Sequence, residues 1–385
     1  MTDAMPAQLV GWIEAETGGR VLSAKRGGEG ASRQAWAVDV ETGSELQRLF
    51  CLRDRLRDPA SGSGGSQRDA GVLRALAASG IPVPRVHASS RELGALLLAR
   101  VPGRSDYPSV DRDEEREPTA RDLMRLTAAL HALDPDRLAI EHLGEPPAAS
   151  EHAALQLAHL DGLLRTLADA ALPVQRFAAV WLARRPPHAS RTSLVHSDMG
   201  PGNFLYQGGS VTAILDWEVA HWGDPMEDLA AIAVRDMATP IGPLATRYAE
   251  YAAAGGAAVD LVGIEWYRVF ILARNTTLIA LGLRRELAPR ERESLARFAL
   301  LLLRALALCL CDVVSVERPG QAERSLASST RPGHANREEF SRFADPAQER
   351  DLARHFALEM EARARAESAL LGVFSDRLPQ RLVLR

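Results

Sequence analysis

Three polar side chains stand at a spacing that could do chemistry: Asp198, Asn203 five residues on, and Asp216 further along the same stretch, LVHSDMGPGNFLYQGGSVTAILDWEVAHWGDPMEDLA, residues 194–230. Residues 204–206 and 211–215 read as strands, and Gly208-Gly209 between them reads as a two-residue hairpin turn. That turn places Asn203 opposite Ile214, and Asp216, two residues on, faces the same side. Diagonal neighbours across a hairpin are about 7–8 Å apart, so an amide oxygen and a carboxylate converge at its open end. Such a pair suits a hard cation such as Mg²⁺, which takes oxygen ligands and keeps waters that phosphate oxygens can replace. Asp198 is a separate carboxylate, suited to orient and deprotonate an incoming hydroxyl. The combination matches phosphoryl transfer: one carboxylate for the nucleophile, an Asn five residues later and a second Asp for the metal.

Three motifs in order carry a resemblance. His196-x-Asp198-(x4)-Asn203, Asp216-Trp217-Glu218 and Gly223-Asp224-Pro225-x-x-Asp228-Leu229-Ala230 together resemble the aminoglycoside phosphotransferase/choline kinase-like family, and most of all its branch associated with acyl-CoA dehydrogenases. Each motif alone is weak; the ordered set is specific. The resemblance covers residues 20–315 and implies an α+β, bilobal protein kinase-like fold. A small β-rich N-lobe would occupy residues 1–99, a hinge 100–104 and a larger helical C-lobe 105–316. It also implies ATP as donor, with GTP as the alternative, Mg²⁺ as cofactor and the hydroxyl of a small molecule as acceptor. Asp198 is then the catalytic residue, and Asn203 and Asp216 are the metal ligands. His196 braces the loop by hydrogen bonding, while Asp224 and Asp228 fix loop backbone and a helix start without touching substrate.

The elements that must position these residues begin with a short helix over residues 6–17, stopped by Gly18-Gly19. Strands are expected over 20–25, 34–40 and 47–53. The turn Gly27-Gly28-Glu29-Gly30-Ala31-Ser32 joins the first two and can lay backbone N–H groups over phosphates. Alone it reads as a flexible hairpin tip; its place ahead of the catalytic stretch assigns Gly28, Gly30, Ala31 and Ser32 to the nucleotide. Lysine occurs once, at Lys25 on the first strand. Many kinases end the third strand with a lysine that grips the α- and β-phosphates. Arg53 stands there in this chain, and its planar fork can hold two phosphate oxygens. A helix over 67–79 places Asp69, Val72, Leu73 and Leu76 on one buried face. A carboxylate there needs a cationic partner, and Arg53 is the candidate, which brings Asp69 into the nucleotide site.

Further strands are expected over 81–84 and 93–99, and the family meets adenine around Leu98, Arg100 and Val101. Residues 111–117 read as a solvated charged turn, and helices are expected over 119–133, 153–184, 226–235, 243–254, 264–283 and 290–314. His131 and Phe270 read as packing residues; Trp266 and Tyr267 are divided between core and acceptor pocket. Residues 317–336, polar with Pro and Gly, read as a linker, and 337–385 as a charged helical tail. Leu352, Phe356 and Met360 form a stripe on that tail, which could dock on the kinase lobe, form a homodimer or bind a partner protein.

A net charge of −4 with no basic block argues against nucleic acid as a partner. Cys51, Cys309 and Cys311 make no CxxC pair or disulfide framework and read as buried apolar residues in a reducing compartment. No basic-then-apolar leader opens the sequence. The most apolar segment, 298–314, contains Arg304 and Asp312 and is expected to be too short to span a bilayer. These features predict a cytoplasmic protein with no membrane role. Two functional classes remain. The first is a small-molecule phosphotransferase whose acceptor is a hydroxyacyl-type or other metabolic compound rather than an aminoglycoside. The second is a nucleotide-binding pseudokinase serving as a regulatory or scaffold module; the missing lysine motivates it, and the intact Asp198, Asn203 and Asp216 set weighs against it.

Overall fold

The computed structural model describes residues 4–27, 33–54, 65–107, 114–138, 140 and 142–314. Gly28, Gly30, Ala31 and Ser32, together with the linker at 317–336 and the tail at 337–385, lie outside these residues. The described chain forms α1 (Ala7–Thr17), β1 (Arg20–Arg26), β2 (Arg33–Thr42), β3 (Glu45–Asp54), α2 (Gly65–Ala78), β4 (Val86–Ser90) and β5 (Ala95–Ala99). Next come α3 (Arg116–His131), α4 (His152–Thr166), α5 (Pro173–Ala183), β6 (Ser193–Val195), β7 (Phe204–Gln207), β8 (Ser210–Ile214) and β9 (His221–Gly223). The chain then continues through α6 (Met226–Asp236), α7 (Leu244–Ala253), α8 (Leu261–Gly282) and α9 (Pro289–Val313). It is an α+β chain with two compact units.

The first unit holds the five-stranded antiparallel sheet, ordered β1-β2-β3-β5-β4, and the two-stranded ladders β6-β9 and β7-β8. One face of the large sheet buries Trp36, Val38, Val40, Leu49, Cys51, Ala95 and Leu97 with Leu9 and Ile13 of α1. Side chains alternate along a strand, so Arg33 on β2 and Asp54, its register partner on β3, share the opposite face. α2 lies on that face, where Asp54 accepts a hydrogen bond from the Ser66 N–H at 3.1 Å. The expected strand at 81–84 does not form. Two prolines remove ladder donors there, and the Pro82 carbonyl instead accepts from the Ile214 N–H at 2.8 Å, tying this segment to the β7-β8 hairpin.

The second unit is built from α4, α5, α8, α9 and the part of α6 from Leu229 on. The single helix expected over 153–184 is two helices, because Pro173 starts a new one at its first position. On α8, Trp266, Tyr267 and Phe270 are all fully buried. Trp266 stacks on Phe270, meets Tyr267 edge-on and donates from Nε1 to the Leu182 carbonyl at 3.0 Å, so all three are core residues. The apolar segment after residue 298 corrects another expectation. Arg304 does not interrupt α9, which runs for 25 residues and has the length and composition of a membrane span, with mean hydropathy 2.0 over its most apolar stretch. Ala305, Leu306, Cys309 and Leu310 are buried in this unit, while Phe298, Leu300 and Leu301 are exposed. All three cysteines are buried and unbridged, as expected.

Candidate active site

β6 pairs with β9 and delivers the chain into His196-Ser197-Asp198. The backbone here is held in a costly shape. Ser197 has φ 64° and Asp216 φ 63°, the left-handed region that non-glycine residues avoid. Asp228 on α6 holds the first of these turns. Its carboxylate, fully buried, accepts from the His196 N–H at 2.9 Å and the Ser197 N–H at 2.6 Å. It also accepts from His131 Nε2 at 3.0 Å, which leaves His131 Nδ1 to accept from the Tyr251 hydroxyl at 2.8 Å. Although burial opposes ionisation, the hydrogen bonds from His131 and from the His196 backbone hold the Asp228 carboxyl below the usual carboxylate range. Asp224 caps α6 by accepting from the Met226 N–H at 3.0 Å.

His196 joins the two chemical segments. Its Nε2 donates to the Leu215 carbonyl at 2.7 Å, and its Nδ1 accepts from the Asp198 N–H at 3.2 Å. Asn203 turns its amide nitrogen onto Asp198, donating to the backbone carbonyl and to Oδ2, both at 2.8 Å. With Nδ2 spent in this way, the amide orientation is fixed and Oδ1 faces away from Asp198.

The hairpin that carries Asn203 turns at Gly208-Gly209, both with positive φ, as the sequence predicts. Its register differs from the expected one. Phe204, not Asn203, pairs with Ile214, and the Asn203 carbonyl accepts from the Leu215 N–H at 2.8 Å. The cause is a bulge: Leu205 pairs with Ala213 and Tyr206 with Val211, so Thr212 is an extra residue on β8. Thr212 is used elsewhere, donating from its hydroxyl to the Pro102 carbonyl at 2.7 Å.

Asp216 reaches solvent, yet the protein packed around it, followed by the charges of Glu218 and Asp198, pushes its carboxyl up to about 6. Crowded carboxylates of this kind are stabilised by a cation. Among the described residues no three His, Cys, Asp or Glu side chains converge as a ready-made metal cage. Asn203 Oδ1 and Asp216 are oxygen donors of the kind that would suit Mg²⁺, a hard cation that keeps several waters.

On the sheet side, the expected Arg53–Asp69 pair is absent. Asp69 pairs with Arg33, Oδ2 to Nη1 at 2.6 Å, and stands 3.7 Å from Arg68. Arg53 is paired in register with Ala95 and lies on the α1-facing side of the sheet with Cys51, one residue out of phase with Asp54. Sequence reasoning missed Arg33 and Asp54; the available signal was an opposite-charge pair at facing ends of two adjacent strands. Leu98 is buried near the end of β5, the Arg100 N–H donates to the Arg48 carbonyl at 3.0 Å, and Val101 leads to Gly103. Gly103 has φ 139°, and a Cβ there would come within 2.7 Å of Thr212 Oγ1, so this segment lies tightly on the hairpin.

A five-stranded antiparallel sheet, a hairpin end that carries oxygen donors and a loop carboxylate braced from a following helix define a protein kinase-like phosphotransferase fold. Solved structures agree. A macrolide 2′-phosphotransferase from Brachybacterium faecium matches with TM-score 0.53 at 19% identity, covering 75% of this chain and 95% of that one. A thermostable aminoglycoside phosphotransferase in ternary complex with ADP and hygromycin B matches with TM-score 0.55 at 17% identity, covering 79% and 99%. At these identities the likeness is one of fold. The model of the phosphotransferase enzyme family matches residues 23–270, and the chain belongs to that family. Among curated relatives, acyl-CoA dehydrogenase family member 10 of Mus musculus is 24% identical over 175 residues, 43% of this chain and 16% of the relative. Family member 11 of Gallus gallus is 27% identical over 178 residues, 42% of this chain and 22% of the relative. The chain therefore matches about a fifth of the length of these relatives.

Proposed function

We propose that the chain transfers the γ-phosphoryl group of ATP to a hydroxyl of a small molecule with the help of Mg²⁺. The observation that carries this reading is the Asn203–Asp198 clamp: one amide fixes the carboxylate that would take the hydroxyl proton and offers its own oxygen to a cation. The cation would neutralise charge developing on the transferred phosphoryl group. Asp198 would orient and deprotonate the acceptor, and Asn203 with Asp216 would hold the metal. The family match and the nucleotide-bound neighbour support this reading. The acyl-CoA dehydrogenase relatives favour a hydroxyacyl-type or other metabolic acceptor over an antibiotic. The test is an ADP-release screen across acceptor classes, followed by mass spectrometry of the product. Nucleotide binding without ADP release for any class supports the pseudokinase instead.

Metal dependence gives a second expected result. A protonated Asp216 cannot ligate, so Mg²⁺ affinity weakens as pH falls through about 6 and is full above it. Asn203→Ala and Asp216→Ala each raise the Mg²⁺ requirement, and Asp216→Ala flattens the pH dependence. Mg²⁺ titrations at two pH values check this; identical curves for wild type and both variants remove the hairpin-end site.

A further inference from the structure

Phosphoryl transfer on a kinase-type scaffold depends on electrostatic stabilisation, so a fixed cation on the sheet side of the phosphates matters. Three basic residues compete for that place. Arg53 lies on the α1-facing side of the sheet. Lys25, paired with Ala37, shares the other face but is exposed to solvent. Arg33 differs from both. It is the first residue of β2 and directly follows the glycine-rich turn at 27–32. Its side chain is only 13% exposed, with Nη1 on Asp69 at 2.6 Å and Nε on Asp54 at 3.0 Å. Nε also stands 4.0 Å from Oε2 of Glu218, two residues beyond Asp216. Arg68, next to Asp69 on α2, donates to the Glu218 carbonyl at 3.1 Å. The sheet, α2 and the segment bearing the metal ligand thus meet at one guanidinium.

We propose, on the phosphotransferase reading above, that Arg33 and not Arg53 is the cation that meets the nucleotide phosphates, with Asp69 and Asp54 as its positioning residues. Two of its three nitrogens are anchored by carboxylates, so its orientation is set before a ligand arrives and little side-chain freedom is lost on binding. Nη2 keeps both of its N–H groups and Nη1 keeps its second, and Nη2 lies beside Gly65, where an added Cβ would stand 3.4 Å away. The carboxylates also secure its charge: burial opposes it, but Asp69, then Asp54 and Glu218, outweigh burial and keep the group more basic than an ordinary arginine. The ion pair that most kinase-type sites draw from the third strand is drawn here from the second.

The test compares binding of Mg²⁺-AMP-PNP with binding of adenosine, by calorimetry on the full chain. Arg33→Gln, which removes the charge and keeps a hydrogen-bonding side chain, is expected to weaken Mg²⁺-AMP-PNP by about 10–100-fold, the range of one charged hydrogen bond, and to leave adenosine within about twofold. Arg53→Ala and Lys25→Ala are expected to leave both ligands near wild type. If Arg33→Gln is poorly folded, Arg33→Lys replaces it, with a smaller loss confined to Mg²⁺-AMP-PNP expected. Equal loss of both ligands in the Arg33 variants would mark a purely structural role and overturn the proposal. A phosphate-selective loss in Arg53→Ala or Lys25→Ala, with the Arg33 variants normal, also overturns it. A wild-type chain that binds neither ligand overturns the phosphotransferase reading itself, a different result from either.

Discussion

Asp198→Ala is expected to lower acceptor-dependent ADP release by about 10²–10⁴-fold, the usual worth of a positioned general base, while Mg²⁺-nucleotide affinity stays near wild type. The loop should survive the change. Asn203 still donates to the residue 198 carbonyl, and Asp228 still holds the N–H groups of His196 and Ser197. What disappears is the carboxylate that Asn203 Nδ2 orients. Asp198→Asn separates charge from shape, since an amide oxygen can accept the same hydrogen bond but cannot take the acceptor's proton. Turnover near wild type in both variants, measured with the acceptor found in the screen, would mean that another group handles the proton.

Asp228→Ala should be the most damaging single change to stability, at about 3–5 kcal/mol, the cost of removing one partner from a buried charged network. It strands the His196 and Ser197 N–H groups and His131 Nε2 in the interior at once. The left-handed turn at Ser197 then loses its backbone restraint and keeps the hydrogen bond from its hydroxyl to Glu227, so turnover of the remaining folded protein falls as well. The pH dependence follows from the direction of the shift. The folded carboxyl sits below its unfolded value, so the stabilisation is full above that unfolded value, near 3.9, and is lost as pH falls through the lower folded one. Urea unfolding of wild type and variant at neutral and acid pH measures both effects. A difference between them that stays constant with pH would contradict the role given to the ionised carboxylate.

The chemical core of the site was legible because it is local. Asp198, Asn203 and Asp216 lie within one stretch, and Gly208-Gly209 announces the turn between the last two. Most helices and strands were legible for the same reason, since their periodicity is continuous. The features missed depend on parity. Thr212 carries no letter that marks it as a bulge, yet it moved the partner of Asn203 by one residue. Arg53 is one residue away from the face that holds Asp69, and only the register of the assembled sheet decides which strand end meets α2. Trp266 and Tyr267 could not be divided between core and pocket from an apolar helix, because which side meets other helices is a tertiary fact.

The bulge at Thr212 has a consequence for how this hairpin tolerates change. Removing Thr212 would keep every motif letter in place and still leave Phe204 opposite Ile214, because the ladder would close up into regular one-to-one pairing and lose only the added twist of the bulge. The Thr212 hydroxyl would also leave the Pro102 carbonyl, loosening the hold on residues 100–104. The extra residue therefore matters less for the pairing of Phe204 with Ile214 than for the hold that its hydroxyl gives the hairpin on the segment after β5.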